Sequence, residues 1–285
     1  MRFVSFSKNG INGIGIRDNK GIRGLLATDA HFPGDMLSLI QKGSTALTAA
    51  YQLLNTTNYL DEKEIDFLPP LTNPPKVICV GLNYADHTNE SPYEQPEYPT
   101  IFPRFNSSLI GHQSEMIKPT CSDQLDFEGE LAVVIGKSGR HIQKADALNY
   151  VLGYSIFNDG SVRDYQFKSP QWTVGKNFDA TGAFGPDLVT ADELPKGAKD
   201  LMLTTRLNGE VVQQANTKDM LFDIAALIST ISEAITLEAG DVIVAGTPSG
   251  VGFAREPKLF MKHGDVCEVE IERIGILSNQ IVNER

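Results

Sequence analysis

The chain has 285 residues, 41% of them hydrophobic, enough for a sizeable core in one large domain or in a large domain with a small appendage. Lys and Arg number 25 against 36 Asp and Glu, and the formal charge of −11 argues against nucleic acid or an anionic membrane as partner and toward a small molecule. Cys79, Cys121 and Cys267 fit neither a disulfide framework nor a zinc pattern and read as reduced core thiols; no stretch near Met1 reads as a signal peptide and no run approaches the ~20 apolar residues of a membrane span, which points to the cytoplasm.

Residues 3–6, 14–16 and 22–27 read as short strands between glycine turns, and 45–54 as a helix, together a small N-terminal α+β unit. Pro69, Pro70, Pro74 and Pro75 close it, because proline lacks the amide donor and fixes φ, which disfavours a continuing helix or central strand. The boundary falls near residue 70, with one domain over 1–70 and a second over 71–285. Residues 76–80 read as a buried strand entering Gly81, after which Asn83 can cap a short helix with Asp86 three positions on. Pro92 stops that helix, and Pro92, Pro96, Pro99 and Pro103 punctuate a loop before Ile110. Residues 131–135, 151–157, 201–207, 242–245 and 266–271 read as further strands. Leu221, Ile224, Ala225, Ile228, Ile231 and Ile235 fall at helical spacing, a core-facing helix that Gly240 ends. Many strands, few helices and no strict βαβ alternation predict a β-rich α+β fold.

Within this frame the carboxylates carry the chemistry. Side chains two apart on a strand share a face, so Glu128 and Glu130 can converge on one cation while Phe127 and Leu131 face the core. Glu268, Glu270 and Glu272 alternate in the same way, but opposite Cys267, Val269 and Ile271 they read as a solvated face. The first pair leads into the continuous apolar run 131–135, typical of a strand buried on both sides, where two unpaired carboxylates carry a large desolvation cost. A divalent cation shared with Asp159 relieves it; a salt-bridged structural pair is the alternative. Three carboxylates without His or Cys suit Mg²⁺ first, then Mn²⁺ or Ca²⁺, better than Zn²⁺, and leave positions for water or a chelating 2-oxo acid. His87 and Glu90, three apart on the short helix, can form a base with its orienting carboxylate, or a plain solvated pair. Arg163, Gln166 and Lys176 follow Asp159 and can hold a substrate carboxylate or a developing enolate; read singly, they are ordinary charged or polar side chains at the surface.

Four blocks occur in order: residues 76–90, Asp126-Phe-Glu-Gly-Glu130, Asn158-Asp-Gly-Ser-Val-Arg-Asp164 and Gly246-Thr-Pro-Ser-Gly-Val-Gly252. Over roughly residues 70 to 285 the chain resembles the fumarylacetoacetate hydrolase family, and the first 70 residues look like the extra domain of longer members. The resemblance implies a mixed β-roll or sandwich with flanking helices, assembled as a homodimer. It implies Mg²⁺ or Mn²⁺ on Glu128, Glu130 and Asp159, water activation by His87 with Glu90, substrate oxygens on Lys176 and Arg163, Gln166 in the pocket and Thr247 at the carboxylate end. The glycine-rich turn at 246–252 lacks the Lys and spacing of a phosphate loop, and by itself is a plain tight turn. Gly160, Val162 and Leu82 depart from the commoner family pattern without touching an expected ligand, and residues 171–179 are similar to members acting on sugar-derived diketo acids.

The activity so implied is metal-dependent hydrolysis of the C–C bond of a 2,4-dioxo acid, an acylpyruvate or sugar-derived diketo acid, releasing pyruvate as its enolate. Oxaloacetate decarboxylation, 2-oxo-enoic acid hydration and keto–enol isomerisation use the same electrophiles and stand as alternatives. A non-catalytic binding module around a structural cation is the other class; a structural ion is saturated by protein oxygens, whereas a catalytic one keeps open positions.

Overall fold

The apolar run that follows Glu130 becomes the strand Gly129–Ile135, buried at every position, and the two faces of this strand serve two different cores. Leu131, Val133 and Ile135 join Leu203, Cys267 and Val269 in one, while Ala132 and Val134 join Phe3, Met36, Leu39 and Leu47 in the other. A period of two thus splits one hydrophobic run between two layers, as a strand covered on both sides requires.

The computed structural model describes residues 1–84 and 97–285. Among the described residues, an eleven-stranded sheet runs in the order Gly21–Leu26, Ile11–Asp18, Arg2–Lys8, Gly182–Thr190, Val151–Asp159, Gly129–Ile135, Val242–Val244, Val77–Gly81 and Thr100–Arg104, with two short strands, Asp66–Phe67 and Leu109–Ile110, pairing off this path. Neighbours are antiparallel along the path except Val242–Val244 against Val77–Gly81. A five-stranded sheet, Glu210–Asn216, Met202–Leu207, Val266–Ile271, Gly275–Asn283 and Met116–Lys118, covers one face. The helices Met36–Lys42 and Ser44–Leu54 cover the other. The fold is the β-rich α+β fold expected. None of the helices among the described residues is long and apolar enough to cross a membrane.

The first three strands are as expected and connect directly to the large sheet, since Arg2–Lys8 pairs antiparallel with Gly182–Thr190 through Phe3 opposite Leu188. The helix Met36–Lys42 escaped the sequence reading, although Asp35 caps it by accepting the Ser38 amide at 2.7 Å and Met36, Leu39 and Ile40 carry its periodicity. Gly43, at φ +89°, turns the chain between it and Ser44–Leu54. The strongly periodic helix is Ile224–Ala234, capped by Asp223 on the Ala226 amide; Leu221 and Ile235 lie just outside it.

Two expectations are corrected. Residues 100–104 are not loop: Thr100–Arg104 is a strand paired with Val77–Gly81, with Pro103 opposite Ile78. The strand is the last in its sheet, the position at which a sheet tolerates proline. All three cysteines are free thiols, but Cys121 is exposed, and only Cys79 and Cys267 are core residues. The expected helix after Asn83 lies outside the described residues.

Candidate active site and metal centre

Strand register assembles the carboxylates. Gly129–Ile135 pairs with Val151–Asp159 so that Gly129 faces Asn158 and Glu130 faces Phe157, and the Asp159 amide donates to the Glu128 carbonyl at 2.9 Å. The side chain of Asn158 accepts the Glu128 amide at 3.0 Å, which fixes the residue just before the strand. Glu128, Glu130 and Asp159 thereby place ligand oxygens within 4.8 Å of one another, all three buried.

Cations surround this triad. Lys176 Nζ lies 2.7 Å from Glu128 Oε2 and 2.7 Å from Asp159 Oδ2. Arg163 reaches Glu128 Oε1 through Nη1 at 2.7 Å, and the same nitrogen donates to Gln166 Oε1 at 2.8 Å. Arg104, which the sequence reading missed, pairs with Asp159 Oδ1 and donates to Thr181 Oγ1 at 2.8 Å. No local signal marks it, because it sits on the proline-punctuated strand and reaches the site only through the sheet.

Asp126 was also missed, and it organises two of the motif blocks. Its Oδ1 accepts the amides of Phe127 (2.9 Å) and Gly252 (2.8 Å), while its Oδ2 accepts the Phe253 amide (3.0 Å) and Arg163 Nε (2.8 Å). A Cβ at Gly252 would lie 1.7 Å from the Leu259 carbonyl oxygen, so only glycine fits there. The turn that begins at Gly246 is more than a plain turn, since the Gly246 amide donates to Glu130 Oε2 at 2.5 Å from a backbone at φ +98°. Thr247 donates its hydroxyl to the Gly129 carbonyl at 3.0 Å and accepts from Gln213 at 2.8 Å, pinning turn to strand. The side chain of Asn83 binds the Phe222 and Ala245 carbonyls and accepts the Phe222 amide.

Glu128, Glu130, Arg163, Gln166, Lys176 and Thr247 all line one cavity of about 20 Å³, room for a single ion or water. Leu82, Trp172 and Phe253 complete its walls on the apolar side. Arg163 Nη2 is buried without a hydrogen-bond partner among the described residues, an open donor at a wall of the cavity. His87 and Glu90 lie outside the described residues.

The electrostatics favour a cation. Four buried carboxylates, Asp126, Glu128, Glu130 and Asp159, stand against three buried cations, Arg104, Arg163 and Lys176. None of the ion pairs among the described residues includes Glu130. Burial, then repulsion from Asp159 and Glu128, holds the Glu130 carboxyl well above the usual carboxylate range. A hard divalent ion on the triad would supply the missing charge, and an all-oxygen donor set fits Mg²⁺, Mn²⁺ or Ca²⁺. For Lys176, burial pulls the pKa down but Asp159 and Glu128 outweigh it, so the ammonium is held above its ordinary value. Arg163 is likewise opposed by burial and raised by Asp126 and Glu128. The Cys79 thiol, pushed well up by burial, Asp159 and Glu130, stays protonated.

The family model described as fumarylacetoacetate (FAA) hydrolase C-terminal matches residues 76–282. The sequence is 40% identical over 288 residues to a mitochondrial oxaloacetate tautomerase of Rattus norvegicus, covering 99% of this chain and 92% of that protein. Among solved structures, a fumarylacetoacetate hydrolase from psychrophilic Exiguobacterium antarcticum is 36% identical with a TM-score of 0.87, each chain covered in full. A maleylpyruvate hydrolase from Sphingobium sp. SYK-6, in complex with manganese (II) ion and pyruvate, is 26% identical with a TM-score of 0.83, again over both whole chains.

Proposed function

Because the chain belongs to the fumarylacetoacetate hydrolase family, we propose that it is a divalent-metal enzyme that interconverts the keto and enol forms of a small 2-oxo dicarboxylic acid, with oxaloacetate the first candidate. The observation that carries this reading is the 40% identity to an oxaloacetate tautomerase along 99% of the chain. It takes the place of C–C hydrolysis as the first reading.

Tautomerisation moves one proton from C3 to the 2-oxo oxygen and breaks no carbon–carbon bond, so it needs stabilisation of developing enolate charge and a proton carrier but no attacking water. Glu128, Glu130 and Asp159 would hold the ion, which when bound supplies Lewis-acid polarisation of the 2-oxo group. Lys176, kept as an ammonium by its two carboxylates, lends positive charge to the same oxygen. Arg163 offers its open Nη2 to a substrate carboxylate, and Asp126 fixes the plane of that guanidinium. His87 with Glu90, expected from the sequence to activate water, would in this reaction serve as the proton carrier instead. Apolar side chains of Leu82, Trp172 and Phe253 line the cavity beside these charges, and the low polarity they add strengthens each charge contact.

Hydrolysis of an acylpyruvate is the second reading, favoured by the likeness to the manganese-bound maleylpyruvate hydrolase. One experiment separates the two: Mn²⁺-loaded protein is given enol-oxaloacetate and an acylpyruvate, and enol absorbance and pyruvate release are followed. Faster enol decay without pyruvate release is the expected result. Pyruvate release from the acylpyruvate with unchanged enol decay overturns tautomerisation in favour of hydrolysis.

A further inference from the structure

A second cavity, of about 260 Å³, shares no lining residue with the catalytic one, and Lys144, Lys196, Lys199 and Lys218 all border it. In a chain of formal charge −11, four lysines around one cavity run against the composition. Two are paired, with Lys144 Nζ 3.4 Å from Asp223 Oδ1 and Lys218 Nζ 3.2 Å from Asp200 Oδ1. None of the ion pairs among the described residues includes Lys196 or Lys199; both are exposed, and Lys199 acts on the neighbouring Asp200 carboxylate only at longer range.

The loop that presents them is built rather than slack. Buried Thr217 donates its hydroxyl to the Ala198 carbonyl at 2.8 Å and accepts the Leu201 amide at 3.0 Å, and the Ala198 amide closes on the Pro195 carbonyl at 2.8 Å. Gly197, Ala198 and Asp200 have φ of +72°, +48° and +64°. Asp tolerates the left-handed region, whereas Ala198 is held there by its hydrogen bonds to Thr217 and Pro195. Leu148, Met220 and Ile224 line the same cavity, as does the carboxylate of Asp223, the partner of Lys144. An anionic head with an organic body matches a lining that combines four lysines with apolar side chains.

We infer that this cavity binds a small polyanion, its phosphate or carboxylate oxygens held by Lys196 and Lys199 and its organic portion resting on Leu148 and Ile224. Both head groups present the same anionic oxygens to the lysines, so the chemistry is shared and the titration distinguishes the sources. Binding adds counter-charge beside the lysines and stabilises the folded chain by mass action.

The test is calorimetric titration of the metal-loaded full chain with glycerol 2-phosphate and, separately, with tricarballylate. One saturable site is expected for at least one probe, weakened tenfold or more in Lys196→Met/Lys199→Met. It should be unchanged in Lys176→Met, which alters the catalytic cavity, and in Lys20→Met/Lys258→Met, which removes the same net charge elsewhere. Thermal melts of each variant establish that it is folded. Equal affinity in the Lys196/Lys199 variant, an equal loss in the Lys20/Lys258 variant, or no saturable heat with either probe overturns the site.

Discussion

Lys176 Nζ lies 2.7 Å from Asp159 Oδ2, and the same ammonium reaches Glu128 Oε2 at 2.7 Å, so one buried cation bridges two of the three carboxylates. Glu130, the third, receives the Gly246 amide and no cation among the described residues. The charge deficit of the site is therefore concentrated on Glu130. Removing that carboxylate and removing that ammonium should have opposite effects on a bound ion.

Glu130→Gln should weaken Mn²⁺ or Mg²⁺ binding by about 10²-fold or more, because a neutral amide replaces a charged ligand around a hard cation. Glu268→Gln, on the partly exposed alternating strand Val266–Ile271, should leave it unchanged. Calorimetric titration checks both, and equal affinity in the two variants would exclude the triad as the metal centre.

Lys176→Met should bind the divalent ion at least as tightly as the parent chain, since Glu128 and Asp159 lose a competing cation. Turnover should nevertheless fall by about 10²-fold, the scale on which a lost electrostatic stabiliser acts. If the ammonium acts on developing charge, kcat falls together with kcat/KM; a rise in KM alone assigns it to ground-state carboxylate binding.

Asp126→Asn keeps the shape but sets an amide NH₂ against either two backbone donors or a backbone donor and Arg163 Nε. The Arg163 plane should shift, lowering kcat/KM by roughly tenfold or more while metal affinity holds. Kinetics paired with Mn²⁺ titration tests this, and a parallel loss of metal binding would place Asp126 in the general integrity of the centre instead.

The imidazole of His112 packs edge-on against Phe67, ring centroids 5.0 Å apart, and its Nδ1 accepts the Ser278 amide at 3.1 Å. Burial, then Arg17, pushes its pKa down to about 4. The folded chain thus favours the neutral ring, so this contribution is full above the unfolded value of about 6.5 and is lost as pH falls toward the folded one. Each pH unit between those two values is worth about 1.4 kcal/mol, which bounds the contribution at about 3 kcal/mol. The loss of melting temperature between about pH 7 and about pH 5 should be smaller in His112→Asn than in the parent chain, and parallel curves would contradict it.

Much of the strand and helix content was legible locally, because alternation at 131–135 and helical spacing at 224–231 depend only on near neighbours. Glu128, Glu130 and Asp159 were legible for the same reason: the first two are spaced to face the same way, although Glu128 lies just before the strand, and the third ends the adjoining hydrophobic segment. The ordered motif blocks carried the family. What only the tertiary structure decided is which charges meet. Arg104 arrives on an edge strand that its proline disguises, Asp126 holds Arg163 to the 252–253 turn, and Phe3 pairs across 185 residues with Leu188. Such contacts leave no periodic trace in the chain, because strand order and register, set by burying both faces of the central sheet at once, bring distant side chains together.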